Sequence, residues 1–201
     1  MLTALFFVLS GYLMGSILFA GIAAKLFRKD IISESPDKNL GTANAYRYGG
    51  FLCGAFTLLC DLGKGFLPVF LYLHSEDYSG FFLPFVMVAP VIGHILPIFA
   101  RFKGGKAIAV TFGSLMGFFP DWKVALTLGF FFLLFTLVIR VTPHCYRTIL
   151  SYILTTLNTL LFVDMTIGIG MVFMSAAVSM KMLTVPEERE KTAVTMFWKH
   201  K

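Results

Sequence analysis

The chain has 201 residues, of which 57% are hydrophobic and only 14% charged, with a formal net charge of +6. A soluble domain of this size needs more polar surface than that, and a mean hydropathy of +0.80 points to a bilayer as the solvent. The positive balance would suit nucleic acid on a basic face, but the basic residues fall in short segments between apolar runs, which argues against nucleic acid as a partner.

A helix that crosses the hydrocarbon needs ~20 predominantly apolar residues. The apolar runs predict about seven transmembrane helices. They lie at 2–24, 51–73, 80–100, 105–119, 123–139, 148–163 and 165–182. The expected fold is a polytopic all-α membrane protein with a single domain over 1–201. The first run has no basic residue before it; Lys25, Arg28 and Lys29 follow it, so it reads as a retained span and not a cleaved signal. The fourth and sixth runs are short and are expected to tilt little or to enter only partly.

Lysines and arginines orient the set. Lys25, Arg28, Lys29, Lys38 and Arg47 follow the first run, and Arg101, Lys103 and Lys106 follow the third. Arg140 and Arg147 follow the fifth, and Lys181, Arg189, Lys191, Lys199 and Lys201 follow the seventh. With alternating spans, fifteen of the seventeen basic residues share one side, while Glu76, Asp77, Asp121 and Asp164 lie opposite with Lys123. The positive-inside rule then places the N-terminus outside and the C-terminus in the cytoplasm.

Four segments are too polar or glycine-rich to be plain connectors or lipid-facing helix. Gly15-Ser16, in the first run, reads as a close helix contact. The stretch from Asp37 to Arg47 holds Asn39, Gly41, Thr42 and Asn44, followed by Gly49-Gly50. Such residues suit either a solvated loop or a phosphate site, where glycine lets backbone N–H groups turn to a ligand and Asn, Thr and Arg donate to its oxygens. Asp61 and Lys64 are three apart inside the second run, hence on one helix face. They read as a structural ion pair or as a lysine that reaches a phosphate. The fourth segment runs from Gly93-His94 to Lys103-Gly104-Gly105-Lys106. Two lysines around a glycine pair at a helix start make an anion cradle, or else a positive-inside anchor. It is not a Walker A loop, since the spacing differs and Ala107 stands where the hydroxyl residue would be.

Other chemistries are absent. Cys53, Cys60 and Cys145 have no CxxC spacing, the last being placed in a short polar loop. No His, Cys or carboxylate cluster has metal spacing, and neither a metal nor another cofactor is expected. His74, His94 and His144 lack an aspartate four or five residues on, and there is no GxSxG. Catalysis would rest on positioning and charge.

In order along the chain, these motifs resemble the bacterial acyl-phosphate:glycerol-3-phosphate acyltransferase family. Gly15-Ser-Ile-Leu-Phe19 is similar to its opening motif, and Asp30-Ile31 to a pair that follows. Asn39, Gly41, Asn44 and Arg47 match its first loop, and Asp61, Lys64, Gly65 and Pro68 match its second motif. Gly93 through Lys106 match its third, so residues 11–117 carry the resemblance. It implies seven helices in the bacterial inner membrane, an active face toward the cytoplasm, and acyl transfer from acyl phosphate to the sn-1 hydroxyl of glycerol 3-phosphate. The implied catalytic residues are Arg47 and Lys106 as phosphate clamps, with His94 as proton acceptor or orienting group. Asn39, Gly41, Thr42, Asn44, Lys64, Lys103, Gly104 and Gly105 are the implied substrate-binding residues. The chain departs from the family at Asp37, where serine is usual, in the reversed order Thr42-Ala43, and at Ala107, where glycine is usual. The His/Asn/Arg-rich motif after the last span has no counterpart in Ser179 through Lys191. These departures motivate a second reading, a relative that binds phosphate-bearing lipid precursors without turnover. An anion transporter is a third, supported by Asp61 and Lys64 but opposed by the lack of an internal repeat.

Overall fold

The structure is a computed structural model and describes residues 1–35, 39–184 and 193–196. Asp37 and Lys38, and the tail residues Arg189, Lys191, Lys199 and Lys201, lie outside the described residues.

The first run forms two helices, α1 (Leu2–Gly15) and α2 (Phe19–Leu26), parted at Ser16–Leu18. The short α3 (Ile31–Glu34) follows, then α4 (Thr42–Gly49) and α5 (Phe51–Leu73). Gly50 joins α4 to α5 at φ 85°, a left-handed conformation that glycine adopts without a Cβ clash, so α4 folds back along α5. Next come α6 (Leu83–Ile95), α7 (Ile108–Met116) and α8 (Lys123–Leu133), the last extended by a wider turn over Leu134–Val138. Then follow β1 (Ile139–Thr142), α9 (His144–Phe162), α10 (Met165–Thr184) and β2 (Ala193–Met196).

Four helical stretches are long and apolar enough to cross a membrane: Leu2–Leu26, Phe51–Leu73, Gly80–Ala100 and Met165–Thr184. Their outward faces carry large apolar side chains, such as Leu2, Phe6, Leu9 and Leu13 on α1 and Leu59, Leu67 and Leu71 on α5. Lipid, which is as apolar as these side chains, accounts for a surface that water would not tolerate. The core lies around α6, which packs on α1 and α10, while α5 packs on α7 and α9 on α10. Small residues set the closest approaches. A Cβ on Gly15 would strike the backbone of Pro90, so the expected helix contact is present between α1 and α6. A Cβ on Gly65 would strike Val110 O, and one on Gly113 would strike Leu62 O, so α5 and α7 touch backbone to backbone.

The elements differ from expectation in four places. α7 starts at Ile108 and has only 9 residues, about 14 Å of helix, because residues 98–107 fold back onto α6. Gly105 N donates to His94 O at 3.1 Å, which holds that fold-back. The expectation of an all-α chain is corrected by β1, which pairs antiparallel with β2 in register Ile139↔Met196 through Thr142↔Ala193. Cys145 lies in the first turn of α9 and not in a loop. α9 also begins earlier than the apolar run. Its buried Thr148, Ser151, Thr155 and Thr159 each donate a hydroxyl to the carbonyl four residues back, so a polar stripe stays satisfied inside the protein.

The loops sort to two ends. Lys25, Lys29, Asp30, Leu40 and Ala100 line one groove, and Tyr78, Asp121, Lys123 and Asp164 line another cavity. Loops that alternate along the chain therefore share an end, which separates a basic end from an acidic one.

Candidate functional site

Asp61 and Lys64 lie one turn apart on α5, about 15–20 Å from its start. Lys64 Nζ is 2.8 Å from Asp61 Oδ1, and each side chain is 2% exposed. The ammonium also donates to Ile17 O at 2.6 Å, a carbonyl freed by the break between α1 and α2. Its third contact is His94 Nδ1 at 2.8 Å. An ammonium has three N–H groups, and these partners use all of them. An ammonium donates only, so His94 Nδ1 accepts and the ring proton sits on Nε2. The other carboxylate oxygen, Asp61 Oδ2, accepts from Thr42 Oγ1 at 3.2 Å.

Thr42 opens α4, so that helix points its N-terminus at the buried pair. The residue before it, Gly41, supplies no side-chain cap, and the first amides of α4 are left to other acceptors. Asn44 Nδ2 donates to Asn39 O at 2.8 Å and fixes the turn that leads into α4. A Cβ on Gly105 would strike His94 Nε2 and lie 3.3 Å from Asn39 Oδ1. One on Gly104 would strike His94 O. The glycine pair is therefore the close floor over His94, and Asn39 stands beside it.

The structure thus brings Asn39, Gly41, Thr42, Asn44, Lys64, His94, Gly104 and Gly105 together, along with Asp61. Three cations stand around them. Lys106 is part-buried just before α7, Lys103 is exposed on the fold-back, and Arg47 is exposed on α4. Arg47 follows Asn44 by three residues and shares its helix face. Two features were not read from the sequence. One is the carbonyl of Ile17, for which Gly15-Ser16 was the only signal. The other is Lys181 of α10, whose charge acts on His94. Next to the cluster an open, mostly apolar groove of about 610 Å³ runs past Ser16, Ile17, Ile22, Leu40 and Phe99, with Lys25 and Lys29 on its lining.

These features define a helical integral membrane protein with a charged cluster at one end of its bundle. The glycerol-3-phosphate acyltransferase family model matches residues 5–201, and the chain belongs to that family. A glycerol-3-phosphate acyltransferase of Hydrogenobaculum sp. is 43% identical over 130 residues, 64% of this chain and 66% of that protein. One from Macrococcus caseolyticus is 37% identical over 130 residues, again 64% and 66%. One from Legionella pneumophila is 40% identical over 116 residues, 57% of this chain and 41% of that protein. The matched stretches thus span two thirds or less of these relatives. Two crystal structures of PlsY (YgiH), an integral membrane glycerol 3-phosphate acyltransferase, have the same fold. The glycerol 3-phosphate form gives a TM-score of 0.75 at 29% identity, over 87% of this chain and 86% of that one. The lysophosphatidic acid form gives 0.73 at 27%, over 89% and 87%.

Proposed function

We propose that the protein transfers a fatty acyl group from acyl phosphate to the sn-1 hydroxyl of glycerol 3-phosphate, making lysophosphatidate and phosphate. In this reading one domain spans the bacterial inner membrane about seven times, with its N-terminus outside and the basic end in the cytoplasm. The observation that carries it is the meeting of three separate segments, Asn39–Asn44, His94 and Gly104-Gly105, beside cations and an apolar groove. Acyl phosphate needs both kinds of surface, a cradle for its phosphate and an apolar channel for its chain.

The chemistry requires no enzyme nucleophile. Acyl phosphate is a mixed anhydride. The glycerol hydroxyl attacks its carbonyl carbon, the bond from that carbon to the phosphate oxygen breaks, and phosphate leaves with the hydroxyl proton. Two phosphate-bearing substrates repel each other, so the site must hold both. Arg47, Lys103 and Lys106 supply the charge, while the α4 N-terminus and the Gly104-Gly105 backbone supply N–H donors. Asn39, Gly41, Thr42 and Asn44 hold the turn that aims them. His94 acts as an orienting donor through Nε2, since Lys64 engages its other nitrogen. Lys64 acts through His94 and not on the substrate. Alignment of this kind supplies up to roughly 7–11 kcal/mol of barrier in favourable cases.

The test is release of phosphate from palmitoyl phosphate by the purified protein, with lysophosphatidate followed in parallel. Release that depends on glycerol 3-phosphate and is abolished by Lys106→Ala, with the fold intact, is the expected result. No release above blank from well-folded protein rejects the reading. Phosphate binding without turnover would instead favour a relative that only binds these precursors.

A further inference from the structure

Lys181 has no task in the mechanism above. It sits in the last turn of α10, half-buried, while Met174, Val178 and Met182 around it are fully buried. α10 and α6 both start at the acidic end, where Leu83 and Ile167 line one cavity, so the two helices run in parallel. Gly170 marks their contact, since a Cβ there would meet the Met87 side chain and come within 3.4 Å of Pro84 Cα. Lys181 follows Gly170 by eleven residues, three full turns plus about 20°, and so continues the face turned to α6. His94 follows Met87 by seven residues, within about 20° of the same face. The two side chains thus lie on facing stripes. The rise from the contact is about 16 Å to Lys181 and about 10 Å to His94. Helical side chains lean toward the N-terminus, which carries the Lys181 ammonium back to the depth of His94. The electrostatic action of Lys181 on the His94 ring agrees with that placement.

no carboxylate lies within ion-pair distance of Lys181. Asp61, the nearest acid of the cluster by position, is already committed to Lys64 and Thr42. A half-buried ammonium gives up hydration and gains no anion from the described protein in return. We infer that Lys181 is a phosphate-binding residue of this cluster, which reaches in from α10 opposite the glycine pair and takes its anion from the substrate. This rests on the acyl-transfer reading for the identity of the anion, a phosphate on glycerol 3-phosphate or on acyl phosphate.

The experiment compares wild type, Lys181→Met and Lys181→Arg as purified full-length protein. Methionine keeps an unbranched apolar stem and removes the charge. A charge-assisted hydrogen bond to phosphate predicts that Lys181→Met raises the KM of one substrate by about tenfold or more. The substrate whose KM moves identifies which phosphate Lys181 holds. Lys181→Arg should stay within about threefold of wild type, because it keeps the charge. Unchanged KM values for both substrates in Lys181→Met would overturn the inference, as would an arginine variant as impaired as the methionine one. If wild type shows no turnover, the acyl-transfer reading fails by itself, and calorimetry with inorganic phosphate decides Lys181. About tenfold weaker binding in Lys181→Met supports the assignment, and equal binding overturns it.

Discussion

Replacing Lys64 by methionine removes three contacts in one step. The Asp61 carboxylate, 2% exposed, loses the ammonium 2.8 Å away. His94 Nδ1 and Ile17 O lose their donor as well. Breaking a buried pair from one side costs about 3–5 kcal/mol, because the remaining charge has neither partner nor water. The hydroxyl of Thr42 still donates to Asp61 and offsets only part of that loss. Asp61→Leu strands the ammonium in turn, though Ile17 O and His94 still accept from it, so its cost falls at the lower end of the same range. The double variant Asp61→Leu/Lys64→Met removes both charges at once and should lose much less than the sum of the singles. A coupling of about 2 kcal/mol or more is expected, within the range measured for residues in one network. The assay is reversible unfolding of the four proteins in mixed micelles, followed by circular dichroism. A Lys64→Met variant within about 1 kcal/mol of wild type would refute the reasoning, as would additive single losses, because either would mean that water or lipid headgroups solvate the pair.

Two other substitutions probe the glycine contacts. Gly105→Ala drives a methyl group into His94 Nε2 and to 3.1 Å from Cδ2, and the ring cannot yield without losing its 2.8 Å contact with Lys64. Turnover should fall about 100-fold, the scale of a misplaced catalytic group, and activity within about twofold of wild type would show that the glycine pair does not lie over His94. Gly65→Ala meets backbone, Val110 O and Ser114 N, and backbone cannot rotate aside, so α5 and α7 must separate at a cost of about 1–3 kcal/mol. Gly63→Ala, two residues away with nothing within 4 Å of its Cβ, should be neutral or stabilising by up to about 1 kcal/mol. Equal unfolding midpoints for the two alanine variants would contradict the close α5–α7 contact.

Hydropathy by itself determined which stretches become helix, since apolar length and continuity are local properties of the chain. The run 51–73 coincides with α5, and the run that begins at 165 ends two residues later than expected, at Thr184. The pairing of Asp61 with Lys64 was legible for the same reason, because a spacing of three puts both on one helix face whatever surrounds them. The residue types of the cradle were legible too, for glycine, asparagine and lysine have few other reasons to gather beside apolar runs. Tertiary structure alone decided the rest. That Lys64 is filled by Ile17 O and His94 depends on helices 47 and 30 residues away. The start of α7 depends on a hydrogen bond from Gly105 back to His94 O, which no local pattern of hydrophobicity encodes. β1 needed a partner 51 residues on, at Thr142 and Ala193, before its β-branched residues could form a ladder. Lys181 read as one more cytoplasmic charge until the packing of α10 on α6 turned it toward the cluster. Side-chain chemistry and helix phase are carried within a few turns, whereas the partner of a buried charge is set by which helices meet.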